Sequence, residues 1–504
     1  MSDRSSHSAA TLLVPLTMVI ILLLCIVPYN PELPVETEIE YTGGMIETAI
    51  MVKDITNGST GTFFASEWIS INNTIFFVSC CADNESSGHE LWKSDGTAAG
   101  TVMVKDIFSG TSSSNPTHLT AVGNTLYFSA DDGSSGSELW KSDGTDAGTV
   151  MVKDIVAGNG SSSPEELKAV GSTLYFSAKD SVGRELWKSD GTVNGTVMVK
   201  NIWTGSPGPG DGNPKEMVSI GNILYFQAES YDLDGDNVSD GVELWKSDGT
   251  TAGTVMVKNI NTGSNWNGDS NPSELTVVGN TLYFRANDGS NGDELWKSDG
   301  TTAGTVMVRD IFSGSSSGSP EEITGVGIYW FYFVANDGIN GKEIWKSDGT
   351  TAGTVMVKDI YPGASASIPM HLTVDGNTLY FSADNGSSGS ELWKSDGTDA
   401  GTVMVKDIFS GSPSSYADQL TVVGNTLYFR ASDGVHGSEL WKSDGTTNGT
   451  IMVKDIRPGS SGSSSYRLTA VGNTLYFRAS DGVHGSELWK TIEYPEDAAS
   501  ADLE

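Results

Sequence analysis

The sequence predicts an all-β fold, a β-propeller built from four-stranded antiparallel blades around a central axis. The string Glu-Leu-Trp-Lys, or a close variant of it, recurs nine times along the 504 residues. Most copies lie about 48 residues apart, and each unit holds short apolar segments separated by turns rich in Gly, Asn and Asp. A period of this length with four strands per unit is typical of propeller blades. The repeated tryptophans are Trp92, Trp140, Trp187, Trp245, Trp296, Trp345, Trp393, Trp441 and Trp489.

One complete unit, which begins at Pro116, shows how the four strands are predicted. The expected strands are His118–Val122, Thr125–Ala130, Glu138–Ser142 and Thr149–Ile155. Gly and Asx residues lie between them, where turns need positive φ angles and local side-chain bonds. The triplets Leu-Tyr-Phe and Val-Met-Val place apolar groups on both faces of a strand. A sheet packed between two neighbouring blades requires such a pattern.

The two ends of the repeat region predict how the ring closes. The first recognisable segment, Ile46–Ile55, is a lone fourth strand, whereas the last unit, Tyr466–Lys490, has only three. We therefore expect the N-terminal strand to complete the last blade, which removes exposed sheet edges. This closure favours one ring of nine blades, and two smaller propellers are the alternative.

The N-terminal segment 9–29 predicts a transmembrane helix, because twenty residues from its start carry no charge, and a helix of that length spans a bilayer. Arg4 precedes it and the next basic residue is Lys53, an asymmetry that favours a cytoplasmic N-terminus. The repeat region is then extracytoplasmic, on a single-pass cell-membrane protein. A cleaved signal sequence, which gives a secreted protein, and lipidation at Cys25 are the alternatives.

These arguments divide the chain into five parts. They are a cytoplasmic tail (1–8), the anchor or signal sequence (9–29), a linker (30–45), the propeller (46–490) and an acidic disordered tail (491–504).

The repeated string itself carries a family resemblance. Written in full, Glu-Leu-Trp-Lys-Ser-Asp-Gly-Thr resembles the repeat of ELWxxDGT-repeat proteins, and the resemblance extends from about Ile46 to Lys490. Eight of the nine copies have Leu and one has Ile. The resemblance implies an extracytoplasmic, propeller-like repeat protein, and it implies no particular chemistry.

A second resemblance concerns the tryptophans. The segment Ala335–Trp345 fits the pattern A-x-D-x-x-x-G-K-x-x-W, which resembles the tryptophan-docking motif of quinoprotein propellers. That resemblance implies that Trp345 clamps the adjacent blade and that Gly341 offers a flat peptide to another indole. We therefore expect all nine motif tryptophans to be structural docking residues. A ring of carbohydrate-stacking platforms is the alternative, since aromatic faces serve either use.

The longest unit contains a candidate metal site. Its extra loop, Asp232–Glu243, places four aspartates at positions 1, 3, 5 and 9 of a twelve-residue loop. Alternate oxygen ligands of this kind suit one Ca²⁺, and the loop resembles EF-hand and integrin-type calcium loops. A solvated acidic loop is the alternative, and Glu243 begins the tryptophan motif in every copy, which weakens its assignment as a ligand. The predicted ligands are Asp232, Asp234, Asp236, the Val238 carbonyl, Asp240 and Glu243.

Charge and location together lead to a functional prediction. The formal net charge of −35 repels phosphate backbones, so we expect no nucleic-acid partner. The prediction is a membrane-anchored extracellular binding or adhesion module, a monomeric ring and not an enzyme, for a polysaccharide or a cell-surface protein. One alternative is a quinoprotein-like oxidoreductase, suggested by the docking pattern and the adjacent Cys80 and Cys81. The other is a structural cell-surface component.

Overall fold

A computed structural model describes residues 45–55, 67–80, 87–204, 210–231, 240–262 and 268–495. Every regular element in these ranges is a strand, and the 36 strands form nine four-stranded antiparallel sheets. The predicted nine-bladed propeller is therefore confirmed, and the alternative of two smaller rings is wrong. The propeller unit runs from Ile46 to Tyr494.

Blades are numbered 1 to 9 along the chain, and strands β1 to β36. Blade 1 contains β2 Trp68–Ile71, β3 Thr74–Ser79, β4 Glu90–Ser94 and β5 Val102–Lys105; blade 2 contains β6 Thr117–Val122, β7 Thr125–Asp131, β8 Ser137–Ser142 and β9 Val150–Lys153; blade 3 contains β10 Glu165–Val170, β11 Thr173–Asp180, β12 Gly183–Ser189 and β13 Val197–Lys200. Blade 4 contains β14 Lys215–Ile220, β15 Ile223–Ser230, β16 Gly241–Ser247 and β17 Val255–Lys258; blade 5 contains β18 Ser273–Val278, β19 Thr281–Asn287, β20 Asp293–Ser298 and β21 Val306–Arg309; blade 6 contains β22 Glu321–Val326, β23 Trp330–Asn336, β24 Lys342–Ser347 and β25 Val355–Lys358. Blade 7 contains β26 Met370–Asp375, β27 Thr378–Asp384, β28 Ser390–Ser395 and β29 Val403–Lys406; blade 8 contains β30 Asp418–Val423, β31 Thr426–Ser432, β32 Ser438–Ser443 and β33 Ile451–Lys454; blade 9 contains β34 Tyr466–Val471, β35 Thr474–Ser480, β36 Ser486–Pro495 and the N-terminal strand β1 Met45–Lys53.

The ring closes through the N-terminal strand, as the sequence predicts. Strand β1 is hydrogen-bonded to β36, the strand that contains Trp489. Across the junction between blades 9 and 1, the Lys490 ammonium donates to the Gly96 carbonyl at 2.9 Å. Strand β36 continues to Pro495, so the first residues of the predicted disordered tail are strand, because β1 gives them a partner.

The predicted transmembrane helix is not supported. Residues 9–29 lie outside the described ranges, and within those ranges no helix is long and apolar enough to cross a membrane. The anchor stays a prediction from the sequence.

The first strand of each blade lines the central channel. First strands of successive blades contact one another, and β2 of blade 1 contacts both β6 and β34, which completes the circle. Because strands alternate in direction, the turns after the first and third strands share one face of the ring. The connections into each first strand lie on the opposite face.

The hydrophobic cores lie between blades. In one of them, Trp245 of blade 4 packs with Tyr175, Leu186 and Val199 of blade 3. Above the indole, the Lys200 ammonium of blade 3 lies 5.5 Å from the ring centroid, a cation–π contact. All nine motif tryptophans are buried, so none offers an open ring face on which a sugar could stack.

The repeated glutamate fastens each blade to its own connecting loop. Glu138 is fully buried, and its carboxylate accepts hydrogen bonds from the Ile155 N–H at 3.0 Å, the Ser162 N–H at 2.9 Å and the Ser162 hydroxyl at 2.6 Å. Burial raises the pKa of the Glu138 carboxyl even though these donors favour its charged form. The same residue is fully buried in all nine blades, which explains the first letter of the repeat.

The rest of the repeat joins neighbouring blades. The Lys141 ammonium of blade 2 donates to the Gly191 carbonyl of blade 3 at 2.9 Å. The Tyr127 hydroxyl also abuts Gly191, whose φ is +85°, and it would lie 2.3 Å from an added Cβ. This docking glycine belongs to the Ser-Asp-Gly-Thr turn. Gly341, which the quinoprotein resemblance implies for that role, instead packs against the Ser365 backbone of its own blade.

Candidate functional site at the channel mouth

One mouth of the channel carries a ring of side chains that differ from blade to blade. Each side chain belongs to the second residue in the first strand of its blade. In blade 1 it belongs to the residue just before β2. In eight blades this non-glycine residue has a positive φ, between 56° and 62°, a conformation that costs about 1–2 kcal/mol. Backbone strain of this kind often marks functional positions. The channel ring consists of Glu67, His118, Glu166, Glu216, Glu274, Glu322, His371, Gln419 and Arg467.

A β-bulge aims these side chains toward the next blade. In blade 2 the pairing register shifts between Thr117 and Thr120, and the other blades, except blade 1, shift at the same place. The Glu216 N–H donates to the Glu166 carboxylate at 3.2 Å, and the Glu322 N–H donates to the Glu274 carboxylate at 2.9 Å. Each of these carboxylates therefore lies across the boundary between two blades.

Negatively charged side chains predominate in the channel ring. Five of its nine members are glutamates. Burial raises the pKa of Glu166, and the negative charge of Glu216 raises it further. Burial also raises the pKa of Glu274, which has Glu216 and Glu322 as like-charged neighbours. Carboxylates that repel one another in this way gain stability when a cation lies between them.

A cavity of about 270 Å³ opens beside the acidic part of the ring. It spans blades 1 to 4, and both polar and apolar side chains contribute to its wall. The lining residues are Glu67, His118, Leu119, Thr120, Glu166, Leu167 and Met217.

The other side of the same mouth, formed by blades 7 to 9, is apolar and basic. Tyr416 is 71% exposed, and Ile368, Met370 and Tyr466 are also exposed. The Arg467 guanidinium lies 5.3 Å from the centre of the Tyr466 ring. The mouth therefore presents an acidic sector and an apolar sector to the same ligand.

The channel ring was missed by reasoning from the sequence, although a signal exists. The residue that follows Pro-x in most units is His, Glu, Glu, Glu, Glu and His in turn, from His118 to His371. The next position is apolar in each of these units, while this one changes its charge. Only the bulge shows that the variable position faces the channel.

The predicted calcium loop lies largely outside the described residues. This holds for Asp232, Asp234, Asp236 and Val238. Asp240 is buried and accepts a hydrogen bond from the Asn259 amide at 3.3 Å. Glu243 accepts from the Ile260 N–H at 3.0 Å and from the Ser270 hydroxyl at 2.6 Å, as the repeated glutamate does in other blades. Within the described ranges no cluster of three or more His, Cys, Asp or Glu residues could hold a metal, and the calcium site stays a prediction.

Of the adjacent cysteines Cys80 and Cys81, the first lies within the described residues. Cys80 is buried at the end of blade 1's second strand, and Cys81 lies outside the described residues.

Comparison with known proteins adds a likeness of fold. No family profile and no curated protein matches the sequence. A puromycin hydrolase mutant matches with a TM-score of 0.40 and 12% identity, over 72% of this chain and 58% of that one. Prolyl oligopeptidase B from Galerina marginata matches with a TM-score of 0.39 and 12% identity, over 72% and 55%. The β-propeller domain of the Trilobed protease from Pyrococcus furiosus matches with a TM-score of 0.34 and 11% identity, over 66% and 95%.

These matches correct the functional prediction. Several similar structures are peptidases and another is a GH74 enzyme from Niastella koreensis, which contradicts the prediction of a non-catalytic adhesion module that is not an enzyme. The aligned region spans only 58% and 55% of the hydrolase and the oligopeptidase. At these identities and TM-scores the likeness concerns the fold and assigns no activity to this chain.

Proposed function

We propose that the propeller binds positively charged peptide segments at the acidic mouth of its central channel. The observation that carries this proposal is the grouping of Glu166, Glu216, Glu274 and Glu322 on four consecutive blades. The pKa values of Glu166 and Glu274 are raised by burial and by the negative charge of neighbouring glutamates, and a lysine or arginine side chain between the carboxylates relieves that repulsion. The net charge of the chain, −35, also attracts cationic ligands over longer distances.

The apolar sector favours a peptide over a small cation or a polyamine. Tyr416, Tyr466, Ile368 and Met370 are exposed on the same mouth, and a ligand that covers them must carry apolar groups. A peptide that mixes Lys or Arg with Leu or Phe can contact both sectors at once. The Arg467 guanidinium lies beside the apolar sector, where it suits the carboxylate end of such a peptide.

Binding of a labelled peptide tests the proposal. The probe is a fluorescein-labelled peptide of alternating Lys and Leu, and its fluorescence anisotropy is followed during titration with the protein. The double variant Glu216→Gln, Glu274→Gln should weaken binding by about tenfold or more, equivalent to about 1.4 kcal/mol. Added salt should weaken binding to the wild type, since it screens the carboxylates.

A matched variant controls for total charge. Asp146 and Asp399 have side chains 78% exposed and lie on the opposite face. The double variant Asp146→Asn, Asp399→Asn changes the net charge by the same amount and should leave binding nearly unchanged. Equal weakening by the two double variants would show that attraction is nonspecific and would overturn the proposal.

We also propose, from the sequence alone, that residues 9–29 anchor the chain in a membrane with the propeller outside the cytoplasm. Protease added to intact cells should then digest the propeller and leave residues 1–8 protected. Recovery of the undigested repeat region from the cytoplasmic fraction would refute this placement.

A further inference from the structure

The face opposite the channel ring carries one turn that breaks the repeat. In blade 6, the strand pair Val326 and Trp330 is joined by the three residues from Gly327 to Tyr329. In blade 5 the equivalent pair, Val278 and Thr281, is joined by two residues. The insertion exposes three large side chains together, because Ile328 is 61% exposed, Tyr329 73% and Trp330 44%.

A groove of about 340 Å³ lies beside this turn, between blades 6 and 7. This volume lies in the range of small-molecule sites, which combine aromatic walls with a few polar groups. Trp330 and Tyr332 belong to blade 6, while Asn377 and Asp396 come from the two turns that blade 7 presents on the same face.

The polar side chains of the groove differ in charge and in the hydrogen bonds that they can form. The Lys346 ammonium donates to the Gly397 carbonyl at 2.8 Å and lies 5.5 Å from the centroid of the Trp330 ring. Hydrogen bonds from the Thr398 side chain and backbone hold the pKa of Asp396 below its usual value, so this carboxylate is ionised at neutral pH. Asn377 is exposed, and its amide offers both donors and an acceptor.

We propose that this groove is a subsite for a neutral saccharide. A pyranose ring has an apolar face that packs on an indole or a phenol ring, and hydroxyls that bond carboxylate and amide groups. The exposed Trp330 indole supplies the ring, and Asp396 and Asn377 supply the polar groups. This second site is independent of the peptide site proposed at the opposite mouth.

Other ligand classes fit the groove less well. An anionic ligand is repelled by the Asp396 carboxylate and by the strongly negative net charge of the chain. A cationic ligand is repelled by the Lys346 ammonium, which already lies against the Trp330 ring. A purely apolar occupant displaces water from Asp396 and Asn377 and offers these side chains no hydrogen bond in return.

Saturation-transfer NMR with cellobiose, maltose and N,N′-diacetylchitobiose at millimolar concentration tests the proposal. The decisive variant replaces Ile328-Tyr329-Trp330 by Asn-Thr, which is the turn of blade 5. Because the repeat already uses that turn, we expect the variant to keep the wild-type melting temperature. The point variant Trp330→Thr serves the same purpose if the shortened turn does not fold.

We expect at least one of the three sugars to show transfer to its ring protons with the wild type, and the signal to disappear in both variants. Tyr416→Ala removes an exposed tyrosine from the opposite face and should keep the signal. Absence of transfer from all three sugars, or a signal that persists in Trp330→Thr, overturns the proposal. Ultracentrifugation that shows a wild-type dimer lost in the turn variant would instead assign the patch to a second copy of the chain.

Discussion

The joint between blades 5 and 6 gives the sharpest prediction about stability. Gly349 has a φ of +80°, and a Cβ at this position would lie 2.1 Å from the Tyr283 hydroxyl and 3.1 Å from the ring carbon that bears it. Favourable carbon contacts begin near 3.5 Å, so Gly349→Ala forces one blade away from the other.

The expected cost has two parts. An alanine in the left-handed region costs about 1–2 kcal/mol, and overpacking typically costs about 1–3 kcal/mol. We therefore expect Gly349→Ala to lower the free energy of unfolding by about 2–5 kcal/mol. Gly363→Ala is the matched control, because Gly363 has a φ of +97° with no atom within 4 Å of the added Cβ. This control should show only the backbone part.

Urea unfolding of four variants measures the two parts separately. They are Gly349→Ala, Gly363→Ala, Tyr283→Phe and the double variant Gly349→Ala, Tyr283→Phe. Removing the Tyr283 hydroxyl should restore much of the stability lost in Gly349→Ala, relative to Tyr283→Phe alone. Equal destabilisation by the two alanines, together with no rescue in the double variant, would refute the docking role of this glycine.

Three further predictions concern closure, pH and calcium. Deletion of residues 1–55 removes β1 and should leave an unpaired edge on β36, so size-exclusion chromatography should show aggregation; a monomeric deletion as stable as the full chain would contradict closure. Burial raises the pKa of Glu294 from 4.5 to about 7, and an acid that binds its proton more tightly when folded stabilises the fold most below its unfolded pKa. The contribution of Glu294 to the free energy of unfolding should therefore fall by about 3 kcal/mol as pH rises from 4.5 to 7. Thermal melts of Glu294→Gln should depend less on pH than those of the wild type, and an unchanged pH dependence would contradict this assignment. Calorimetry should detect one Ca²⁺ whose binding is weakened by Asp234→Ala, and equal uptake by wild type and variant would remove the site.

The propeller could be predicted from the sequence because its information is local and repeated. Each unit carries its own strands and turns, and the incomplete units at Ile46 and Tyr466 identify the shared blade. Closure follows from counting strands, without knowledge of any side-chain contact.

Contacts between blades were less predictable, because they depend on how adjacent sheets are placed. Gly341 and Gly349 both lie in glycine-containing turns with positive φ, and the sequence does not show which of them meets an aromatic ring of the preceding blade. The channel ring depends on a bulge in each first strand, such as that between Thr117 and Thr120. A pattern of simple alternation does not reveal that bulge.

The functional prediction failed for a related reason. It rested on the apolar segment 9–29 and on the acidic loop near Asp236, which lie outside the described residues. The two sites proposed here come from positions where one blade differs from the others, Glu166 to Glu322 at one mouth and Trp330 on the opposite face.

Proton release on peptide binding tests the central claim most directly. If a cationic peptide lies among the carboxylates of the channel ring, it lowers the raised pKa values of Glu166 and Glu274, and protons leave as it binds. Titration calorimetry in two buffers of different ionisation enthalpy, just above the ordinary pKa of glutamate, measures that release. We expect release by the wild type and much less by the variant Glu166→Gln, Glu274→Gln. Binding without proton release, or equal release by the variant, would contradict the assignment of the channel mouth as the peptide site.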